Sequence, residues 1–268
     1  MQKLLSPLLL LLCSLPALAQ PHTFAIQPES ALRHPSPQIL LAGSGSVQGA
    51  DGTFFHSDIT VLNYRNANQR VAFTWMQNNQ PPAAPMVVTI NAASGIISED
   101  FVGTILQQSG LGALLITGVD ANGAIDPGAQ LYATERVWTP QPGSTGTMSQ
   151  SFPAIATSDI NLTTGTILGQ RQDTRYRTNV GIVNLDTVQR QFNVIQTTDD
   201  PNNPQVQSLV TVPPMSMTQV PLPQIATATL QIAVQPLVAI NPALWMAYGS
   251  SVDNVTGDSW SSLAFQAR

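Results

Sequence analysis

Two ten-residue segments about 120 positions apart carry one pattern. Phe54-Phe55-His56-Ser57-Asp58-Ile59-Thr60-Val61-Leu62-Asn63 and Arg175-Tyr176-Arg177-Thr178-Asn179-Val180-Gly181-Ile182-Val183-Asn184 both read x-aromatic-basic-hydroxyl-Asx-apolar-x-apolar-apolar-Asn. Strand side chains alternate, so Phe55, Ser57, Ile59 and Val61 share one face of the first segment. Each segment ends on an asparagine, which can bond nearby backbone and start a turn. A polar turn follows each, then a second strand, VAFTWMQ or QFNVIQT. Further on, Leu131-Tyr132-Ala133 aligns with Leu244-Trp245-Met246. A chain that repeats strands at this spacing is a duplication, with units larger than those of a solenoid.

The rest of the chain has the same texture. Short β-prone runs alternate with Gly, Pro, Asn and Asp every ~8–15 residues, the spacing of sandwiches and barrels. The runs lie at 38–43, 53–63, 70–76, 86–91, 112–118 and 129–138 in the first half. In the second half they lie at 165–169, 175–184, 190–197, 206–212, 215–221, 228–234, 243–252 and 259–266. The expectation is an all-β protein of two tandem antiparallel Ig-like β-sandwich domains, 38–140 and 163–268, joined by a linker over 141–162. One helix is expected in the first domain. Ser98 would cap it, Glu99 and Asp100 would occupy its first turn, Phe101, Val102, Ile105 and Leu106 would form its apolar stripe, and Gly110 would end it.

The N-terminal residues read as a secretory signal over 1–19. Lys3 gives the positive n-region, Leu8 to Leu12 the apolar centre, and Ala17-Leu18-Ala19 a small-x-small cleavage site. Cys13 follows Leu12 rather than a small residue, which argues against a lipoprotein anchor. The apolar stretch falls short of the ~18 residues that would span a bilayer. Residues 20–37, with Pro21, Pro28, Pro35 and Pro37, read as an extended arm. Its patch Thr23-Phe24-Ala25-Ile26 could add to a neighbour's open sheet edge. The expected location is therefore outside the cytoplasm: periplasmic, cell-surface or extracellular.

Cys13 is the sole cysteine, so the mature chain has no disulfide, zinc–thiolate site or cysteine nucleophile. Removing Lys3 with the signal leaves 9 cations against 15 acids, a difference of −6. That balance disfavours nucleic acid and anionic lipid as partners. His22, His34 and His56 have no metal-ligand spacing, and no G-x-S-x-G elbow, Walker loop or dinucleotide fingerprint occurs. The chain reads as a non-enzyme.

Three local features bear on binding. Arg171, Arg175, Arg177 and Arg190 place four of the nine mature arginines within twenty residues. Paired strands would bring Arg190 near the others, and guanidinium groups grip carboxylates and sulfates. A solvated face paired with Asp173 and Asp186 is the preferred reading of them. Asp253 and Asp258, in Asp253-Asn254-Val255-Thr256-Gly257-Asp258, would put two carboxylates together as calcium ligands. A polar hairpin turn is the alternative reading. Asp120-Ala121-Asn122-Gly123-Ala124-Ile125-Asp126 resembles the start of a calcium loop, yet Asn122-Gly123 is also a type I′ hairpin signal. Apart from calcium, no cofactor is implied. Trp75 and Trp245 sit mid-strand as core residues, whereas Trp138 and Trp260 lie at strand ends, where a ring can stack on a sugar.

The stretch Gly52-Thr53-Phe54-Phe55-His56-Ser57-Asp58 to Asn63 follows G-T-x-F-x-T-D-x-x-x-x-N with Ser57 in place of the threonine, and the hairpin Val252-Asp253-Asn254-Val255-Thr256-Gly257-Asp258 has the form V-D-N-x-T-G-D. On these the chain resembles uncharacterised bacterial exported proteins with tandem Ig-like modules and, more loosely, cell-adhesion-related bacterial modules. The resemblance implies fold and export and supplies no catalytic residue. It implies no established activity; the expected role is a non-enzymatic surface or extracellular one in adhesion, matrix or filament assembly. Partners would be a protein or polysaccharide at the cell surface, with self-association through sheet edges or the arm. A soluble ligand-binding or protease-inhibitor module of the periplasm is the alternative.

Overall fold

A computed structural model describes residues 34–49, 52–240 and 244–266. The signal, Cys13, His22 and most of the arm lie outside these. In the first half the strands are β1 (Gln38–Gln48), β2 (Phe54–Asn63), β3 (Gln69–Gln77), β4 (Met86–Ile90), β5 (Ser94–Ser98), β6 (Gly110–Val119), β7 (Leu131–Pro140), β8 (Thr147–Gln150) and β9 (Ile155–Ala156). The second half holds β10 (Gly165–Ile167), β11 (Tyr176–Asn184), β12 (Arg190–Thr198), β13 (Gln205–Val212), β14 (Ser216–Pro221), β15 (Thr229–Pro236), β16 (Trp245–Asp253), β17 (Ser259–Leu263) and β18 (Phe265–Gln266). The protein is all-β, and its strand ladders are antiparallel.

Strand order repeats between the halves. The first half forms one nine-stranded sheet in the order β4-β3-β6-β1-β2-β7-β8, with β5 on β2 and β9 on β1. The second forms β13-β12-β15-β10-β18 and β14-β11-β16-β17. Adding nine to each first-half label reproduces the second half's order. The difference is the β1–β2 join. Past a register shift between Leu41 and Ser44, the end of β1 crosses over to pair Val47 with Phe55 and Gln48 with Phe54. That join curls the first half into one continuous sheet. In the second half no β10–β11 ladder forms, and two sheets remain.

The repeated asparagines make the same bonds. Asn63 donates its amide to the carbonyls of Ala67 (2.8 Å), Ile90 (3.3 Å) and Asn91 (3.0 Å), and its Oδ1 accepts from Arg65 N (3.0 Å). Asn184 donates to Val188 (2.8 Å), Val212 (3.3 Å) and Pro213 (2.9 Å), and accepts from Asp186 N (3.0 Å). Both are buried, and each ties its strand end to the end of the strand that closes the next hairpin, β4 or β13.

One core lies within the first half, around Ile59, Val61, Phe73, Trp75, Phe101 and Leu114. The other joins Phe192, Val194, Ile232 and Trp245 of the second half to Leu40, Ala42, Met76, Leu115, Val137 and Phe152 of the first. The inner strands β1, β6 and β16, and β11 beyond Asn179, are consequently buried on both faces. Burial along them is near-continuous, whereas along β7 it alternates. At ~1.5–3 kcal/mol per large buried side chain, the first-half residues in the shared core contribute on the order of ten kcal/mol gross. That is comparable to a domain's whole stability. Phe152 lies in the segment expected to be a linker, and β8 and β9 flank it.

Two sequence expectations need correction. The helix is a single turn, Phe101–Thr104, capped by Asp100 rather than Ser98. Asp100 sits at φ +46, outside helical space, and Ser94–Ser98 is paired to β2 instead. Leu131, not its neighbour Tyr132, matches Trp245: Leu131 pairs with Asn63 as Trp245 pairs with Asn184. The sequence pattern sets Leu131 on Leu244, one residue away. Apolar residues on both sides of the position made either register readable, but a one-residue slip reverses the faces. Among the described residues no helix is long and apolar enough to cross a membrane.

Candidate functional site

Where the two halves diverge beyond their shared core they leave a cleft of about 630 Å³. Its floor is one face of the β14-β11-β16-β17 sheet. Alternation puts Thr178, Val180, Ile182 and Asn184 toward the second-half core, and Arg177, Asn179 and Gly181 toward the cleft. Across the β11–β16 ladder Arg177 pairs with Val252, Asn179 with Ser250 and Gly181 with Tyr248, and Gln219 of β14 flanks Gly181. The facing wall comes from the first half: Gly43, Gly45 and Val47 of β1, with Phe55, Met148, Gln150 and Phe152.

Glycines set this shape. A Cβ on Gly181 would lie 2.2 Å from the Tyr248 ring, and one on Gly43 would lie 2.9 Å from the Phe152 ring. Tyr248 and Phe152 meet edge to face at 4.9 Å between centroids, and so close the inner end of the cleft. Tyr248 donates its hydroxyl to Gln219 Oε1 at 2.7 Å, and Ser250 donates across the halves to Gln150 Oε1 at 2.9 Å.

The cationic cluster divides. Arg177 and Asp253 line the cleft. Arg175 donates to Asp253 Oδ2 through Nη2 (2.6 Å) and Nε (3.1 Å), and the Val255 N–H donates to Asp253 Oδ1 at 2.8 Å. Arg175 first, then the backbone donor, hold the Asp253 carboxyl down at about 2. Arg177 Nη1 donates to Asn254 Oδ1. Arg171 stacks on Tyr176, with its guanidinium carbon 3.8 Å from the ring centroid, and lies 3.6 Å from Asp173. Arg190 is not near them. It begins β12, in the other sheet, and pairs with Asp186 just past the far end of β11. β11 and β12 are successive in sequence, but they sit in different sheets.

Asp258 Oδ1 accepts from Ser259 N at 3.0 Å, and Asp253 N donates to the Asp258 carbonyl at 2.9 Å. Both acids are thus engaged in hairpin geometry. Among the described residues no group of three or more His, Cys, Asp or Glu side chains is placed to hold a metal ion. Asp120 Oδ1 accepts from Asn122 N and Ala124 N, and Gly123 lies at φ +84, so that loop is a hairpin turn. Trp75 and Trp245 are buried, and Trp260 donates to Gly169 O at 2.8 Å.

Sequence reasoning did not single out Gln219, Gln150 or Tyr248 for the cleft, nor Glu135. Amides in strands carry no motif, and only the stacking of the halves brings them together. Glu135 sits on the inner face of β7, 5% exposed, and neither of its carboxyl oxygens makes a hydrogen bond. Burial pushes it up to about 8; the Ser44 and Ser57 hydroxyls beside it oppose part of this rise.

No family model matches the chain, and no curated protein matches it. Among solved structures it is similar to the crystal structure of Thermotoga maritima 1070, at 12% identity and a TM-score of 0.32, covering 40% of this chain and 96% of that one. A likeness at this level bears on neither fold nor function.

Proposed function

We propose that the protein is a non-enzymatic, exported surface or extracellular protein. Its two Ig-like β-sandwich modules would act in adhesion or in matrix or filament assembly by holding a ligand between them. The repeated strand order supports the tandem modules. The cleft between the halves carries the binding role. Concave sites that mix apolar walls with a few convergent polar groups are the usual form of ligand sites, and their volumes are of this order. Its lining favours binding over turnover. Among the described residues the cleft offers one carboxylate, Asp253, which is committed to Arg175 and ionised well below neutral pH. A general acid or base works best with a pKa near the operating pH. Export rests on the N-terminal residues alone.

Filling the cleft tests this reading. Asn179→Trp places a large ring on its floor without touching either core. Purified protein is expected to bind cells or extracted surface polysaccharide, and the variant to lose that binding at an unchanged circular dichroism spectrum. Equal binding by the two proteins, or none by either, would refute it.

A further inference from the structure

We propose that the cleft takes a carboxylate-bearing oligosaccharide and that Arg177 receives its acid group. This deepens the binding role proposed above and rests on it. Arg177 differs in its surroundings from most of the other described arginines. Arg65, Arg136, Arg171, Arg175 and Arg190 each have a carboxylate oxygen within 4.0 Å. Arg70 is occupied by the carbonyls of Asp120 and Ala121. Arg177 has one neutral partner, Asn254, and no carboxylate among the described residues. One of its five N–H donors is used, and the residue lines the cleft of a chain with more acids than bases. Guanidinium matches carboxylate in a planar two-bond fork.

The rest of the lining suits sugar hydroxyls. Asn179 makes no side-chain hydrogen bond among the described residues, and it lies two positions along the same strand face from Arg177. The Gln219 and Gln150 oxygens already accept from Tyr248 and Ser250, which leaves their amide N–H groups as donors. Amides both donate and accept, as a hydroxyl-rich ligand requires. Phe55 and Phe152 supply the apolar wall for the C–H faces of the rings. An acidic peptide fits less well. Extended peptides gain affinity by adding to an open sheet edge, and the floor strands β11 and β16 are paired on both sides.

Isothermal titration of the purified full chain at neutral pH tests this with three probes: tetragalacturonate, its fully methyl-esterified form, and tetraglutamate. The ester keeps the rings and removes the charge. Tetragalacturonate is expected to bind at least tenfold more tightly than the ester, and Arg177→Gln to lower its affinity at least tenfold at unchanged thermal stability. Arg177→Lys should fall between, because it keeps charge but loses the fork. Equal binding of acid and ester that Asn179→Trp abolishes would overturn the acid assignment and leave the cleft as a binding site. Unaltered binding by Arg177→Gln, tighter binding of tetraglutamate, or binding of none of the three would also overturn it.

Discussion

Replacing Glu135 by glutamine should remove most of the protein's loss of stability between pH 5 and pH 9. In the folded chain Glu135 holds its proton up to about pH 8, because burial penalises the charged form, whereas its ordinary value is 4.5. Below 4.5 the folded and unfolded chains both carry the proton, and the group contributes nothing to pH dependence. Between 4.5 and 8 the unfolded chain releases a proton that the folded chain keeps, so stability falls as pH rises. Above 8 both are ionised, and the loss is complete. At ~1.36 kcal/mol for each tenfold difference in proton affinity, the full loss is ~5 kcal/mol. This is an upper bound, since a carboxylate forced to ionise will draw in water or shift the Ser44 and Ser57 hydroxyls. Glu135→Gln has the same shape and no charge to bury. Urea unfolding at pH 5, 7 and 9 reads the difference. The two proteins should lie within ~1 kcal/mol of each other at pH 5, where both side chains are neutral. They should separate progressively to at most ~5 kcal/mol at pH 9, which corresponds to ~10–20 °C in Tm for a chain of this size. Parallel loss of stability by both proteins across the range would refute the reasoning.

Asn63→Ala and Asn184→Ala each leave a buried backbone carbonyl, Ile90 or Val212, without its donor. Each should cost ~2–4 kcal/mol in urea unfolding, and because they share no partner the double variant should be additive within ~0.5 kcal/mol. Phe152→Ala empties a site packed on Gly43 and Tyr248 within the shared core. It should cost ~3–5 kcal/mol, and calorimetry should show one transition splitting into two as the halves uncouple; a single transition at unchanged Tm would contradict the coupling.

Several features were legible because they depend on neighbours in sequence. The alternation in Phe54–Asn63 and the Gly, Asn and Pro punctuation marked an all-β chain. The repeat marked a duplication, and the common strand order of the halves agrees with it. The terminal asparagines were placed as turn formers, and each anchors its turn to the next hairpin as well. The one-turn helix was overread because Phe101, Val102, Ile105 and Leu106 have helical spacing, and the left-handed backbone at Asp100 and Gln107 leaves no trace in that spacing. The first run ends at 43 by its β-prone residues, yet β1 continues to Gln48 because β6 and then β2 pair with it, and Gly43 there leaves room for Phe152.

By itself the sequence determined the local grammar: which runs are strands, where they turn, that the plan occurs twice, and that charge is scarce. Side-chain alternation and turn chemistry are short-range, and a linear text carries them in full. Tertiary structure decided which faces meet. It buried β16 and the end of β11 on both sides, sent Arg190 to the opposite sheet, gave Asp253 to Arg175 and left Arg177 lining the cleft. Those outcomes depend on how two sheets from different halves stack, and that is set by the summed fit of surfaces far apart in the chain, which no local pattern encodes.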